Sequence, residues 1–382
     1  MLLLFTLISC SSTPAPETRP TEDLLLIVLD TFRADQVTPN KAPNIHQHAI
    51  ESWWPRSAWA PSPWTVPSLS ALLTGKPPWE LASPEDHGLP DQATSLPERL
   101  EQHTSAMFST NPYVTESRGF AQGFEDFYPI SSDEEAVEAA ADWWEEHREQ
   151  PKFLAVVLMS AHLPYEPKRP PVPSSPRVGE KFWDLDNWQS YTDPADQNQI
   201  RRLYTAQIPD LDQHVSRLLD LAEPDTTVAI VSDHGEELFE NGGFEHGHAF
   251  WEEVTRVHAA IRFPGEPPSR PKGLWTLQDV GQQLIQRFDA SESPVSPAPR
   301  TRVIHGYPLS YRVPVLHNWG IRSETDAYFD GVRPHQTLGG AKLVPELEAF
   351  VAALQPSNSP QGFQSSEAEN AALEALGYQA TP

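Results

Sequence analysis

The sequence predicts an α/β protein: a doubly wound, mostly parallel sheet with helices on both faces, plus a smaller C-terminal part. Short, continuous apolar runs recur along the chain, as expected of strands buried on both faces of a parallel sheet. Segments with apolar residues at helical spacing separate these runs. The 382 residues are enough for one large domain of this kind with appendages.

Four apolar runs are the predicted strands. Leu24–Leu29, Phe153–Met159 and Thr227–Val231 are strongly apolar, and Ala259–Phe263 is weaker. Each is short and continuous rather than alternating, which is typical of a strand that is covered by helices on both sides.

The predicted helices lie between and after these strands. Ser132 and an acidic first turn begin a helix over Ala136–His147. Apolar residues recur at helical intervals over Asn198–Leu221, and the last helix covers Leu343–Leu354.

Four segments are predicted along the chain. Residues 1–21 are a lipoprotein signal and tether, 22–290 are the main domain, 291–355 are a C-terminal subdomain that completes the fold, and 356–382 are a polar tail. The prolines and serines of Ser291–Pro299 indicate a loop at the boundary of the subdomain.

The N-terminus carries a candidate lipid-anchor motif. The apolar stretch ending in Leu7–Cys10 resembles a bacterial lipobox, whose cysteine is lipidated, and the Pro-rich segment Thr13–Thr21 would be the tether. A signal peptide would carry a Lys or Arg before its apolar run, and this sequence has neither there. The alternatives are a lipid anchor at Cys10 in the cell envelope, on its periplasmic or extracellular side, and a chance apolar terminus with a free thiol.

Composition excludes several classes of protein. Lys and Arg number 27 against 53 Asp and Glu, so the formal net charge is −26, which repels phosphate backbones and argues against nucleic-acid binding. No apolar run approaches the roughly 18–20 residues that a membrane span needs. A single cysteine excludes a disulfide framework and a thiolate metal cage.

Polar residues follow three of the predicted strands. Asp30 follows the first, His162 comes soon after the second, and Asp233 and His234 follow the third. Ligands of such sheets bind outside the carboxyl ends of the strands. Each residue alone fits helix capping or turn chemistry. Their coincidence at three strand ends predicts a functional site.

A proline-started helix supplies a further candidate. Pro67 suits the first turn of a helix that continues over Ser68–Leu73, and we expect Thr65 just before it. The free amides and the dipole at that end would hold an oxyanion beside the threonine hydroxyl. The simpler alternative is a threonine N-cap followed by proline.

Several motifs, in order along the chain, resemble the sulfatase-like branch of the alkaline phosphatase superfamily. They are Val28–Asp35, Ala42–Ile45, Ser62–Ser68, Leu72–Gly75, Ser232–Glu236 and His246–His248, with weaker similarities at Gly119–Phe124, His162–Tyr165 and Ala375–Tyr378. The resemblance implies an alkaline-phosphatase-like fold and an enzyme that cleaves small-molecule, lipid or sugar esters.

The resemblance also implies roles for individual residues. Asp30, Asp233 and His234 match the family's metal ligands, and Thr65 occupies the position of its nucleophile, which also contacts the metal. His162 falls where a histidine contacts the transferred sulfuryl or phosphoryl group. His246 and His248 match positions that supply charged or hydrogen-bonding contacts to that group. Carboxylates and imidazole suit a hard or borderline divalent ion.

Two departures from the family pattern narrow the activity. Sulfatases carry a Cys or Ser that is oxidised to formylglycine in a Cys/Ser-x-Pro-Ser-Arg signature, but this chain has Thr65-Val-Pro-Ser-Leu69. Threonine cannot yield that aldehyde, and it resembles the nucleophile of the superfamily's phosphodiesterases and phosphotransferases. Thr31 replaces a second aspartate of many sulfatases, which indicates one divalent ion with four protein ligands. Manganese or zinc fits that set better than calcium.

Other candidate residues stay unranked. A basic residue on the substrate side is expected in the C-terminal part, where the candidates are Arg312, Arg322, Arg333 and Lys342. Tryptophans near Thr65 could line an apolar substrate wall, but packing is the commoner role of such residues. They are Trp53, Trp54, Trp59, Trp64 and Trp79.

Three functions remain open at the level of sequence. The first is a metal-dependent hydrolase or transferase that cleaves a phosphate ester, preferably a diester, through a covalent Thr65 intermediate. The second is a sulfate-ester hydrolase without formylglycine. The third is a non-catalytic binding protein that retains the fold.

Overall fold

The computed structural model describes residues 22–81, 88–170, 193–289, 298–306, 319–330 and 335–353. The predicted anchor at Cys10, the polar tail and most of Ser291–Pro299 lie outside these residues, as do Arg312 and Arg333.

Fifteen strands are present in the described residues. They are β1 (Leu24–Leu29), β2 (Ala58–Trp59), β3 (Thr104–Ser109), β4 (Asp126–Pro129), β5 (Lys152–Leu158), β6 (Thr227–Ser232), β7 (Glu237–Leu238), β8 (Phe244–Glu245), β9 (Arg256–Val257), β10 (Ala259–Arg262), β11 (Trp275–Thr276), β12 (Val303–Gly306), β13 (Trp319–Arg322), β14 (Ala327–Asp330) and β15 (His335–Gln336).

Eight α-helices are present in the same part of the chain. They are α1 (Pro43–Ile50), α2 (Thr65–Thr74), α3 (Leu96–Arg99), α4 (Asp133–Glu146), α5 (Pro194–Leu219), α6 (Glu252–Thr255), α7 (Leu277–Phe288) and α8 (Val344–Ala353). Short 3-10 helices lie at Ala34–Gln36, Pro78–Glu80, Glu116–Arg118 and Gly340–Leu343. None of the described helices is both long and apolar enough to cross a membrane.

The main sheet has six strands in the order β10-β6-β1-β5-β3-β4. β1 pairs in parallel with β5 and β6, and β3 pairs in parallel with β5 and β4. β10 pairs antiparallel with β6 at one edge. The predicted doubly wound, mostly parallel sheet is therefore confirmed, and the four predicted strands are correct to within about one residue.

Helices cover both faces of this sheet, and successive residues of β1 alternate between two cores. Leu25, Ile27 and Leu29 pack in the core that contains residues of α1, α4 and α5. Leu24, Leu26 and Val28 face the core that contains residues of α2, α3 and α7. Burial on both sides explains why the strand sequence is continuously apolar.

One carboxylate of α5 fixes the start of α1. Asp212 accepts hydrogen bonds from the backbone amides of Asn44 and Ile45, at 3.2 and 2.9 Å, and from the side-chain amide of Asn44 at 2.7 Å. A carboxylate at a helix N-terminus satisfies amides that have no partner within the helix. This contact gives the Ala42–Ile45 motif a structural role.

Helix α2 packs closely on α7 because two glycines lie at the contact. Gly75 ends α2 with a φ of 66°, and a Cβ there would lie 2.9 Å from Cγ of Gln282. A Cβ on Gly281 would lie 2.0 Å from the carbonyl oxygen of Leu72. Side chains at these positions would push the helices apart, so the glycines set the position of α2.

The described C-terminal part is a small antiparallel sheet in the order β12-β13-β14-β15, which α8 covers. It is attached to the loop before Thr65. His305 Nδ1 lies 2.9 Å from the carbonyl oxygen of Ala60, and the Gly306 amide donates to Pro61 at 2.9 Å. The predicted helix over Leu343–Leu354 is confirmed as α8.

Candidate metal centre and active site

Four adjacent strands of the main sheet bring polar side chains to one edge. Asp30 follows β1, Asp233 and His234 follow β6, Asn111 lies after β3, and His162 lies after β5. Parallel neighbours in register place these strand ends side by side. The edge is the place where doubly wound sheets bind ligands.

Three of these side chains form a group of the size that a metal ion needs. Nε2 of His234 lies 3.6 Å from Oδ1 of Asp30 and 3.5 Å from Oδ2 of Asp233, and one ligand atom from each residue falls within a 4.8 Å span. All three residues are fully buried. Both of these carboxylate oxygens lack a hydrogen-bond donor among the described residues. Buried, unpaired carboxylate oxygens facing one another fit a bound cation.

His234 is oriented to present a free nitrogen lone pair. Its Nδ1 lies 2.9 Å from the carbonyl oxygen of Gly235, a contact that a protonated Nδ1 satisfies. Nε2 is then unprotonated in the neutral ring and is directed at the two aspartates, as in metal-binding histidines with a carbonyl partner.

The electrostatics of the group also favour a cation. Burial raises the pKa of Asp30 well above its usual value, and the neighbouring charge of Asp233 raises it further. Burial alone would lower the pKa of His234, but the carboxylates of Asp233 and Asp30 raise it above the usual value. Two buried carboxylates without a fixed counter-charge are costly, and a divalent ion would remove that cost.

Thr65 lies at this group and is the first residue of α2. Its hydroxyl is 3.3 Å from Nε2 of His234 and 3.5 Å from Oδ2 of Asp30. The expectation that Thr65 precedes the helix is wrong, because the helix begins two residues before Pro67 and Trp64 is its N-cap. Proline is accepted at the third helical position because the amides of the first turn have no partner within the helix.

Asn111 is a site residue that was not predicted from the sequence. Its side-chain amide donates to Oδ2 of Asp30 at 2.5 Å and contacts the Thr65 hydroxyl at 3.3 Å. Oδ1 of Asn111 accepts from the Tyr113 amide at 2.6 Å, which fixes the direction of the NH₂ group. The signal was present: Asn111 follows a buried strand, but that strand was not predicted.

Two candidate histidines lie beside the three-residue group. The ring of His246 is 4.4 Å from that of His234 and 5.2 Å from that of His162. Burial lowers the pKa of His162, and burial and the neighbouring His234 lower that of His246 well below its usual value. Nδ1 of His246 lies 3.0 Å from Oε1 of Glu236, so its Nε2 is directed elsewhere.

Glu236 belongs to a motif of the sequence but had no predicted role. It is fully buried, and burial raises its pKa to about 7. The Tyr165 hydroxyl donates to its Oε2 at 2.9 Å. Glu236 therefore links His246 to Tyr165 on the loop after β5.

His248 has different contacts from His246. Its Nε2 lies 3.0 Å from Oε2 of Glu237, and its Nδ1 lies 3.0 Å from the carbonyl oxygen of His246. These contacts hold the loop after β8 against the buried carboxylate of Glu237.

Thr31 follows Asp30 in an unusual backbone conformation. Its φ is 53°, in the left-handed region, which a β-branched residue rarely adopts and which costs about 1–3 kcal/mol. Its hydroxyl donates to the Asp30 carbonyl at 2.8 Å, and its amide donates to Oδ1 of Asp233 at 3.3 Å. The Thr31 hydroxyl is therefore bonded to the preceding residue, and the Thr31 amide holds the carboxylate of Asp233.

Two of the four basic candidates can be located. Arg322 is buried, donates to the carbonyl oxygen of Phe250 at 3.1 Å, and stacks 3.8 Å from the ring centre of Trp59. Burial lowers its pKa to about 10. Lys342 is exposed in the 3-10 helix before α8.

The tryptophans that lie close to Thr65 in the sequence pack against other rings or cations. Trp53 meets Trp275 edge-on at 5.0 Å, Trp79 meets Trp319 at 5.5 Å, and the guanidinium of Arg270 lies 3.7 Å from the ring centre of Trp54. Trp64, next to Thr65, is half-buried and packs edge-on against Tyr113 at 5.5 Å.

The fold and the chain sequence define the class of protein. The doubly wound sheet matches solved structures of the alkaline-phosphatase-like superfamily, and the Sulfatase family model matches residues 22–290. The chain belongs to the sulfatase family of hydrolases, whose members use a divalent metal. No curated protein matches the sequence.

Three solved structures illustrate the similarity of fold. BT4656, in complex with its substrate D-glucosamine-2-N,6-O-disulfate, is 16% identical with a TM-score of 0.68, covering 90% of this chain and 100% of its own. The phosphonate monoester hydrolase of Silicibacter pomeroyi is 14% identical, with a TM-score of 0.64 and coverage of 87% and 96%. The lipoteichoic acid synthase LtaP of Listeria monocytogenes is 14% identical, with a TM-score of 0.57 and coverage of 88% and 93%.

Proposed function

We propose that this protein is a metal-dependent hydrolase or transferase that cleaves a phosphate ester, preferably a diester, through a covalent intermediate on Thr65. The position of the Thr65 hydroxyl carries the proposal. It lies at the first turn of α2, 3.3 Å from Nε2 of His234, beside two buried carboxylates that each have one oxygen without a donor among the described residues.

Asp30, Asp233, His234 and the Thr65 hydroxyl would hold one divalent ion. The ion would supply positive charge that lowers the pKa of the hydroxyl and neutralises the transferred group. Two carboxylates, one imidazole and one hydroxyl suit manganese or zinc better than calcium, which takes more oxygen ligands.

The proposed reaction has two displacements. Thr65 Oγ1 gives its proton to solvent or to a histidine of the site and forms a bond to phosphorus as the bond to the leaving ester oxygen breaks. That oxygen takes up a proton from the same source. Water or an acceptor hydroxyl then attacks phosphorus and loses its proton as the bond from phosphorus to Thr65 Oγ1 breaks, and Thr65 takes up a proton to regain its hydroxyl. The amide of Asn111 and the imidazoles of His162 and His246 would contact the oxygens of the transferred group.

The charge of the site favours a diester over a monoester. A divalent ion held by the carboxylates of Asp30 and Asp233 would leave this group without surplus positive charge. A phosphodiester carries one negative charge at neutral pH, whereas a monoester carries close to two. A group without surplus positive charge suits the singly charged diester better than the monoester.

A sulfate-ester hydrolase is the second candidate, because a protein of this fold is complexed with a disulfated glucosamine. Two residues argue against formylglycine chemistry. Threonine cannot be oxidised to an aldehyde. Leu69, which stands where the modification signature has an arginine, is a residue of α2 and is buried in the core that this helix forms with the main sheet.

We propose a lipid anchor at Cys10 as well, which would place the enzyme at the cell envelope. The Leu7–Cys10 motif supports it. The substrate would then be a small molecule, or a lipid or sugar ester, on the outer side of the membrane.

The decisive experiment combines metal analysis with a substrate panel. Purified protein is analysed for bound metal and assayed on phosphate monoesters, phosphodiesters, phosphonate monoesters and sulfate esters, and then quenched during turnover for mass spectrometry. The proposal expects about one ion per chain, the highest kcat/KM on a diester and a phosphate on Thr65. A preference for sulfate esters would favour the second candidate. Absence of both metal and turnover would indicate a non-catalytic binding protein.

A further inference from the structure

Helix α5 places a buried tyrosine hydroxyl against the turn that follows Asp30. Tyr204 is fully buried, and its hydroxyl donates to the carbonyl oxygen of Thr31 at 2.9 Å. The same hydroxyl accepts from the backbone amide of Arg33 at 3.0 Å. One side chain thus holds both sides of the turn. Burial raises the pKa of Tyr204 above its usual value, so the hydroxyl keeps the proton that it donates.

The turn needs such support because of its conformation. Thr31 has a φ of 53°, where the β-branched side chain is disfavoured. In that conformation its amide reaches Oδ1 of Asp233 at 3.3 Å, and Oδ2 of Asp233 is left directed at His234. The backbone of Thr31 therefore joins Asp30, which precedes it, to Asp233 on the neighbouring strand end.

We propose that Tyr204 is a positioning residue of the metal centre. Its hydroxyl holds Thr31 in the left-handed conformation, and the Thr31 amide then fixes the spacing of the Asp30 and Asp233 carboxylates before an ion binds. Tyr204 contacts neither the ion nor the substrate in this arrangement. The inference rests on the proposed metal site and assigns part of its affinity to a residue of α5.

The test measures metal affinity in the full chain. Protein freed of metal with a chelator is titrated by calorimetry with Mn²⁺ and with Zn²⁺, and folding is checked by circular dichroism and thermal unfolding. Tyr204→Phe should weaken the Kd by about 10- to 100-fold, as loss of a residue that orients metal ligands does. Tyr165→Phe is the matched control. It removes a hydroxyl from a buried ring 5.5 Å from that of Tyr204, but that hydroxyl serves Glu236.

A second variant tests whether the effect passes through the turn. Thr31→Gly should keep the wild-type Kd, because glycine adopts a positive φ without strain. In the Thr31→Gly background, most of the loss caused by Tyr204→Phe should disappear. Weakened binding by Thr31→Gly alone would overturn the inference even if Tyr204→Phe did not fold.

The remaining outcomes separate this inference from the proposed function. Wild-type affinity in folded Tyr204→Phe would overturn the inference and leave the metal site intact. An equal loss in both Thr31 backgrounds would also overturn it, because the tyrosine would then act by packing. If the wild-type protein bound neither ion, the proposed function would fail, and the inference with it.

Discussion

The side-chain amide of Asn111 donates a hydrogen bond to the carboxylate of Asp30, with 2.5 Å between Nδ2 and Oδ2. The same NH₂ group lies 3.3 Å from the Thr65 hydroxyl. Asn111 thus joins a proposed metal ligand to the proposed nucleophile. An amide at this position can stabilise negative charge that develops on an oxygen of the phosphoryl group as it is transferred to Thr65.

We predict that Asn111→Ala lowers kcat by about 100- to 1,000-fold, as loss of one oxyanion donor does, while about one ion per chain is retained. Steady-state kinetics and metal analysis of the same sample measure the two effects. Asn44→Ala is the matched control. It removes an amide that donates to Asp212 at the start of α1, so it should lower stability but leave kcat unchanged. Unchanged kcat in Asn111→Ala would remove the residue from the site.

Asn111 also shows where prediction from sequence ends. β1, β5 and β6 are continuously apolar because helices bury both faces, so their ends, with Asp30 and Asp233, could be located. β3 contains Thr104, Ser105 and Ser109, and its mixed pattern concealed the strand and the asparagine that follows it. The same rule about strand ends would have found Asn111 once β3 was known.

Contacts between distant parts of the chain were beyond the sequence for a different reason. Tyr204 is 173 residues from Thr31, and helical periodicity shows only that it faces the core. A threonine in the sequence does not indicate a positive φ at position 31, because glycine and asparagine are the residues that usually adopt this conformation. The sequence also did not show that α2 starts at Thr65. Proline is accepted at any position of the first turn, so Pro67 does not mark the first residue of the helix.

The metal site predicts a loss of bound ion in Asp233→Asn. The substitution removes a buried charge whose Oδ2 is directed at His234, and water does not replace a charged ligand in a four-ligand site. Metal analysis after dialysis should find the ion absent, and activity should be lost with it. Asp279→Asn is the control, because Asp279 is equally buried but pairs with Arg300. Retention of the ion in Asp233→Asn would place the metal elsewhere.

Three buried histidines predict a loss of stability in acid. Burial lowers the pKa of His48, His258 and His305 to about 3 in each case. The unfolded chain binds a proton at each histidine below about pH 6.5, whereas the folded chain stays neutral until about pH 3. The free energy of unfolding is therefore not reduced by these histidines above about pH 6.5. It decreases as the pH falls below that value, by about 2 kcal/mol per histidine at pH 5.

Urea unfolding at several pH values measures this effect. His258 suits substitution, because neither ring nitrogen has a hydrogen-bond partner among the described residues. His258→Phe should make the free energy of unfolding less dependent on pH below about pH 6.5, because one proton fewer is taken up on unfolding. An unchanged slope would show that His258 is protonated in the folded protein.

The Leu7–Cys10 motif predicts membrane association. In a bacterial host the wild-type protein should be found in the membrane fraction and should carry a lipid on Cys10 by mass spectrometry. Cys10→Ala should be soluble or should remain unprocessed, because no thiol is left for lipidation. Ser9→Ala is the control and should fractionate as the wild type does. The same soluble behaviour of wild type and Cys10→Ala would leave Cys10 as a free thiol.

The proposed nucleophile gives the last prediction. Thr65→Ala should reduce kcat by several orders of magnitude, as removal of a covalent nucleophile does. Thr65→Ser should retain part of the activity, because the hydroxyl remains and only the methyl group that restricts its rotamer is lost. Both variants should remain folded, since neither residue adds bulk at the first turn of α2.

Thr65→Cys separates phosphate from formylglycine chemistry. It restores the residue that sulfatases oxidise, but buried Leu69 leaves the modification signature incomplete, so strong sulfatase activity should not appear. Mass spectrometry of this variant should find an unmodified cysteine. The result that would contradict the covalent mechanism is a Thr65→Ala protein with substantial phosphodiesterase activity. The attacking group would then be water, and the 3.3 Å contact between Thr65 and His234 would serve only to shape the site.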